Sequence, residues 1–540
     1  MSASTTAASD SLNKSSGVMA LGTLASRATG FLRVIVIAAA LGLGGPGNPL
    51  PDTYAVANVM PNILYELLLG GVLTSVIVPV LVRSARDDGD GGAAFSQALL
   101  SMVAAALALL TFVAVLFAPV LMRLYSNDRG PDFDLQVLLL RFFLPQIVFY
   151  GVGAAIGAIL NTKGRFGPPM FAPVLNNLVV IATFGLFLIM PGPDRPDART
   201  ISDAQVAVLA IGTTLGVVTM TLVLLPALRA SGFRWRWRFD WQHAGLRSAV
   251  RLAGWVFLYV AANQLAYVVV VGLAKDAGNR YNVYFNAFQL FQLPHAIITV
   301  SVITALLPLM SRHAADGRLS ALRDELSRGL RISLALVVPA AVAYVALARP
   351  IAVLLFSHGK STEADAVLLG RVLTGFAIGL ACFTAFQLQL RGFYALHDTR
   401  TPALINIAVN AVMVAVDLAL FALLDGDARV VGLAVGYASS YAAGIVISTA
   451  VLRRRLGGID GAHVLRQLVR VAVAALLAAG PAYALSRIAQ ALAGTGVGGS
   501  AIAVVAGVLT LAAAYVVLAR RLRIREIDDL ARLATTRFGR

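Results

Sequence analysis

Fourteen runs of roughly 20 or more mostly apolar residues recur along this chain, at 17–43, 54–82, 94–122, 136–160, 168–191, 204–228, 248–274, 281–310, 330–348, 364–390, 402–424, 430–452, 467–489 and 498–519. Each is long enough to cross about 30 Å of hydrocarbon as a helix. Inside a bilayer every backbone donor and acceptor must be satisfied within the protein, which leaves helices or closed barrels, and unbroken runs of this length select helices. Only 13% of the 540 residues are charged, about half the roughly 25% of soluble domains. A soluble enzyme is thereby excluded. The fold class is all-α, a polytopic membrane protein of fourteen transmembrane helices. The first run is too long and too polar at its flanks for a cleaved signal peptide.

One cysteine, Cys382, and six histidines provide no disulfide framework and no clustered metal ligands. The net charge of +17 would suggest nucleic acid in a soluble chain, but position decides its meaning here. About 30 of the Lys and Arg residues fall in the N-terminus, the even-numbered loops and the C-terminus, and about 10 in the odd-numbered loops, so both termini are expected in the cytoplasm. Arg234, Arg236 and Arg238 alternate with Trp235 and Trp237, followed by Trp241. Beside a span this pattern fits an interfacial belt on anionic lipid better than base stacking, and no nucleic-acid partner is expected. The C-terminal 520–540 segment, with Ile524, Ile527, Leu530 and Leu533 against Arg523, Arg525 and Arg532, reads as a basic amphipathic cytoplasmic tail.

The chain also repeats itself. Span two ends in Pro79-Val-Leu-Val-Arg83 and span eight in Pro308-Leu-Met-Ser-Arg312; Arg165, Pro168 and Asn176 after span four match Arg400, Pro402 and Asn410 after span ten. Both offsets are about 230 residues, or six spans, and an even number of spans gives parallel repeats about an axis along the membrane normal. The expected organisation is a tail at 1–16, a six-helix lobe at 17–230, a basic linker at 231–247, a second six-helix lobe at 248–454, two extra spans at 455–519 and the tail at 520–540. Transporters of two such lobes bind substrate between them and rock.

Ionisable groups at bilayer depth cost a few kcal/mol and are candidate functional residues. Span one holds Ser26, Arg27 and Arg33, the arginines about 9 Å apart along the axis. Paired guanidiniums select an anion, with phosphate a natural partner; snorkelling to a headgroup is the alternative. Asn62 and Glu66 lie in span two, where Glu66 either neutralises a span-one arginine or contacts a ligand. Asn286, Gln289 and Gln292 form a polar stripe in span eight that serves a substrate or holds helices together. Arg141 and Arg371, near span ends, are expected to snorkel. Asn406, Asn410 and Asp417 share a face of span eleven as a candidate cation site with a single carboxylate. No phosphate-binding loop and no ATPase-sized segment is present, so no cofactor is expected, and membrane potential or a monovalent cation remains as driving force.

The segments Ser26-Arg27-Ala-Thr-Gly30-Phe31-Leu-Arg33, Asp52-Thr-Tyr-Ala-Val-Ala with Pro61-Asn62, Asn161-Thr-Lys-Gly-Arg165-Phe166 with Phe171-Ala172-Pro173, and Gly392-Phe393-Tyr394-Ala-Leu-His-Asp398-Thr-Arg-Thr401-Pro402 resemble the MurJ (MviN) family of lipid II flippases, within the multidrug/oligosaccharidyl-lipid/polysaccharide exporter superfamily. The resemblance implies two lobes around a cationic cavity and a groove for a polyprenyl tail along the last two helices. It implies movement of a polyprenyl-diphosphate-linked disaccharide pentapeptide, lipid II, to the outer leaflet of a bacterial plasma membrane for peptidoglycan synthesis. By the same resemblance, Arg27 and Arg33 would contact the diphosphate. Where many members carry two arginines after Pro61-Asn62, this chain has Tyr65 and Glu66, and where they carry an arginine in span eight it has Gln289. Either fewer arginines meet the substrate's charge, or Glu66 has another role. Two other functions are weighed: export of a drug or a different polyprenyl-linked saccharide, and a non-transporting scaffold recruiting cell-wall synthesis proteins through its basic face.

Overall fold

The computed structural model describes residues 2–67, 78–87, 89–239 and 244–527, and among these all regular structure is helical. The chain divides into two compact units, 1–42 with 46–264 and 43–45 with 265–540. The first contains α1 (Ser2–Leu41), α2 (Leu50–Tyr65), α3 (Val78–Asp87), α4 (Ala93–Leu116), α5 (Ala118–Arg123), α6 (Pro131–Phe143), α7 (Gln146–Thr162), α8 (Gly167–Ile189), α9 (Asp203–Leu222), α10 (Leu224–Ala230) and the start of α11 (Ala244–Asp276). The second continues through α12 (Tyr281–Pro294), a π-turn (His295–Thr299), α13 (Val300–Ala315), α14 (Leu319–Phe356), α15 (Glu363–Ile378), α16 (Leu380–Ala395), α17 (Arg400–Leu423), α18 (Ala428–Arg455), α19 (Gly461–Ala493) and α20 (Val497–Arg521).

Twelve described helical stretches are long and apolar enough to cross a membrane, and the bent pair α15–α16 makes thirteen. The remaining expected span, 54–82, runs through residues outside the described ones. The part of the expected tail from residue 528 onward, including Leu530, Arg532 and Leu533, and Trp241 in the linker also lie outside them.

Several spans are broken, each at a residue that accounts for it. The fourth divides between α6 and α7 at Pro145, which has no N–H to donate and a ring that crowds the preceding turn. Pro226 has the same effect in the sixth, which breaks at Val223. The eighth passes through the π-turn directly after Pro294. The tenth bends by 46° between α15 and α16 at Gly379, where a Cβ would lie 2.6 Å from both Cα and Cβ of Ala438 on α18. Only glycine permits that approach.

The repeat read from the sequence has a counterpart in packing. In the first unit Tyr54 meets Phe143 edge-on at 5.6 Å and bonds Thr213 at 3.0 Å. In the second, Tyr284 meets Phe376 at 5.0 Å, and Phe376 meets Tyr437 at 5.5 Å. Each partner lies about 230 residues after its counterpart, as in a duplicated lobe. Close helix crossings recur likewise: Gly212 on α9 faces Thr183 on α8, and Gly436 on α18 faces Asp417 on α17. Small residues at such crossings let backbones approach where no hydrophobic force drives helices together.

The two helices beyond the repeat belong to the second unit. Tyr515 of α20 donates to the Ala335 carbonyl of α14 at 2.6 Å, and Gly507 leaves room for Leu347. Their remaining surface is apolar and outward, with Leu476, Leu477, Leu492 and Leu509 more than half exposed. Lipid solvates such a surface; water would not.

Candidate functional site

The first unit positions the span-one arginines through α8. Asn177, 5% exposed, donates from Nδ2 to the Ser26 carbonyl at 3.2 Å and to Thr29 Oγ1 at 3.1 Å. A Cβ at Gly30 would lie 3.4 Å from Nδ2, in ordinary van der Waals contact. The Ser26-to-Gly30 segment therefore docks α1 onto α8 and fixes the rotation of the arginine-bearing helix. Sequence reading missed Asn177 because its role appears only when α8 is beside α1.

Arg33 is half-buried, and its Nε has no hydrogen-bond partner among the described residues. Its charge acts on the phenols of Tyr54 on α2 and Tyr150 on α7. Tyr150 in turn packs 5.7 Å from Tyr65, the neighbour of Glu66. The ion pair weighed for Glu66 does not form: among the described residues no salt bridge joins it to Arg27 or Arg33, and it lies exposed one turn from exposed Asn62. Helix α2 ends at Tyr65, leaving Glu66 at its C-terminal edge. Among the described residues the arginine charges have no carboxylate partner, which leaves them available to an anion.

In the second unit the span-eight stripe separates. Asn286 is buried and its amide is used on Asn282 of the same helix, at 2.7 Å to the carbonyl, while Gln289 and Gln292 are half-buried. One turn on, His295 Nδ1 lies 3.2 Å from Thr384 and feels the charge of Arg391. Arg391 has a buried Nε without a hydrogen-bond partner among the described residues and stacks 5.5 Å from the Tyr394 ring. It lies one residue past the expected end of the tenth span at 390; α16 carries it inside a helix that continues to Ala395.

Asn406, Asn410 and Asp417 do not converge. Asn410 donates to the Asn406 carbonyl at 2.8 Å, whereas Asp417 is two turns, about 10 Å, further along α17, too far to share one ion held at about 2.4 Å. Asp417 is fully buried, and neither of its oxygens has a hydrogen-bond partner among the described residues. Arg141 and Arg371 are exposed.

Two basic segments prove structural in part. The 234–239 strip is pinned to α4, where Ser101 receives the Trp235 indole N–H at 3.2 Å and the Arg238 N–H at 3.1 Å, leaving Trp237 and Phe239 exposed. Arg455 binds Asp398 and donates to Thr401 at 2.8 Å, tying the end of α18 to the start of α17. Burial pushes the Asp398 carboxyl up, but hydrogen bonds from Thr401 and the Arg455 guanidinium outweigh it and hold the group below the usual carboxylate range.

The family model described as lipid II flippase MurJ matches residues 37–520. A probable lipid II flippase MurJ of Haemophilus influenzae is 30% identical over 85% of this chain and 88% of its own length. A lipid II flippase MurJ of Burkholderia cenocepacia is 29% identical over 72% of this chain and 74% of its own. Among solved structures, a lipid II flippase MurJ in an inward closed conformation superposes with a TM-score of 0.74 at 18% identity, covering 93% of this chain and 99% of that one. An inward-facing multidrug resistance MATE transporter of the MOP superfamily gives 0.65 at 17% identity over 79% of this chain and 94% of its own.

Proposed function

We propose that this chain, which belongs to the lipid II flippase MurJ family, moves the polyprenyl-diphosphate-linked disaccharide pentapeptide across a bacterial plasma membrane for peptidoglycan synthesis. It is a multi-pass membrane transporter, with no covalent chemistry to perform. The observation that carries the substrate assignment is Arg33: a guanidinium inside a helical lobe, its Nε buried and unbonded and its charge unmatched among the described residues. Such a group is stabilised when a diphosphate accepts from its fork. Arg27, six residues before it on the same helix, extends the contact.

The reading extends to a cytoplasmic basic face in contact with anionic lipid, alternating access, and membrane potential or a monovalent cation as driving force. Complementation of a strain depleted of its own lipid II flippase tests it. Wild type is expected to restore growth, and Arg27→Ala with Arg33→Ala to abolish it at equal membrane abundance. Growth supported by that double variant would overturn the diphosphate role, and failure of wild type would favour export of another substrate.

A further inference from the structure

Where α14 and α19 meet the segment after α20, six basic side chains, Arg331, His463, Arg466, Arg470, Arg523 and Arg525, line a cavity of about 370 Å³. A single carboxylate, Glu526, shares it and is held by Arg331 at 3.3 Å, both side chains largely buried. Arg331 also lies 3.2 Å from the His463 ring. Arg466, Arg470, Arg523 and Arg525 have no carboxylate partner among the described residues, and four like charges around one cavity repel unless an anion enters.

The backbone brings two of these charges to the cavity. After α20 the chain reverses at Arg523 with φ 56°, a left-handed conformation that favours glycine at a helix end. An arginine there is strained relative to glycine. Ile524 and Ile527, both buried, clamp the reversed segment down so that Arg523 and Arg525 flank the cavity.

The occupant follows from what adjoins it. Leu465, Val469, Val473, Leu476 and Leu477 of α19 are exposed and apolar, and begin beside the cavity. A ligand with a phosphate head and long apolar chains satisfies both surfaces. We propose that this pocket binds the phosphate of an anionic membrane phospholipid whose chains lie along α19. The site deepens the proposed contact of the basic cytoplasmic face with anionic lipid and rests on that part of the reading, not on lipid II transport.

The test uses the full chain in nanodiscs of phosphatidylcholine doped with phosphatidylglycerol or cardiolipin, with retained lipid read by mass spectrometry after detergent extraction and melting followed in parallel. Wild type is expected to retain the anionic lipid and melt several degrees higher with it. Combined Arg466→Gln, Arg470→Gln and Arg525→Gln should lower retention at least tenfold. Arg523→Gly, which relieves the backbone while removing the guanidinium, should melt no lower than wild type in phosphatidylcholine yet retain less anionic lipid. Equal retention by the triple variant overturns the site. Stabilisation by millimolar inorganic phosphate in phosphatidylcholine equal to that given by the anionic lipid, with no selective retention of that lipid, overturns the lipid assignment in favour of a free-anion site. Arg27→Ala with Arg33→Ala should keep full retention, so a failure of the transport reading stays separate.

Discussion

Asp417 and Thr183 occupy equivalent places in the two halves of the repeat, each pressed against a glycine of the next helix. Thr183 solves the problem of a polar group at that depth by donating to the Val179 carbonyl at 2.8 Å, one turn back on its own helix. Asp417 has no such bond. An unbonded buried polar group costs about 1–3 kcal/mol, so Asp417→Thr, whose hydroxyl reaches the Met413 carbonyl in the same way, is expected to raise the melting temperature in detergent. A fall would show that the carboxylate has a stabilising partner. If growth in the complementation assay drops while the melt rises, the carboxylate serves transport at the expense of stability.

At the scale of elements, the breaks carry most of the shape. Gly379 lets the α15–α16 bend rest on the Ala438 backbone; Gly379→Ala forces backbone to move and is expected to destabilise the second unit by about 2 kcal/mol or more, read as an earlier melt with normal insertion. An unchanged melt would mean that the bend is not set by that contact. The α17–α18 latch predicts a pH dependence. With its folded pKa below the ordinary value of about 3.9, Asp398 contributes stability that is complete above about pH 4 and is lost as pH falls through the lower folded value. Melts between pH 5 and 3 should therefore fall more steeply for wild type than for Asp398→Asn; parallel slopes would refute the latch. The same geometry changes how a scaffold role is tested. Neutralising Arg453 to Arg455 together breaks the latch, so only Arg453 and Arg454 probe a docking surface cleanly.

For the whole molecule, what was legible in the sequence is what depends on solvent and on local chain chemistry. Apolar runs marked the spans because hydrocarbon imposes their length. The repeat showed in Pro168 and Pro402 because each opens a helix, α8 and α17, at matching places. Arg27 and Arg33 were visible because charge in such a run is costly. Side-chain pairing across helices was not legible: Asn177 on Ser26, Arg391 beside His295, and the missing Glu66 pair all depend on which helices become neighbours. Orientation rests on the charge distribution alone, and it can be measured directly because the chain has a single cysteine, Cys382, half-buried in α16. In a Cys382→Ser background, Asp194→Cys places a thiol in the exposed α8–α9 loop, an odd-numbered one, and Ala315→Cys places one at the exposed end of α13, on the even side. With both termini cytoplasmic, a membrane-impermeant maleimide added to intact cells should label position 194 and reach position 315 only after permeabilisation. The reverse pattern would invert the chain, and would put the basic strip at 234–239 and the arginine pocket after α20 on the outer face, where the charge bias of membrane proteins disfavours them.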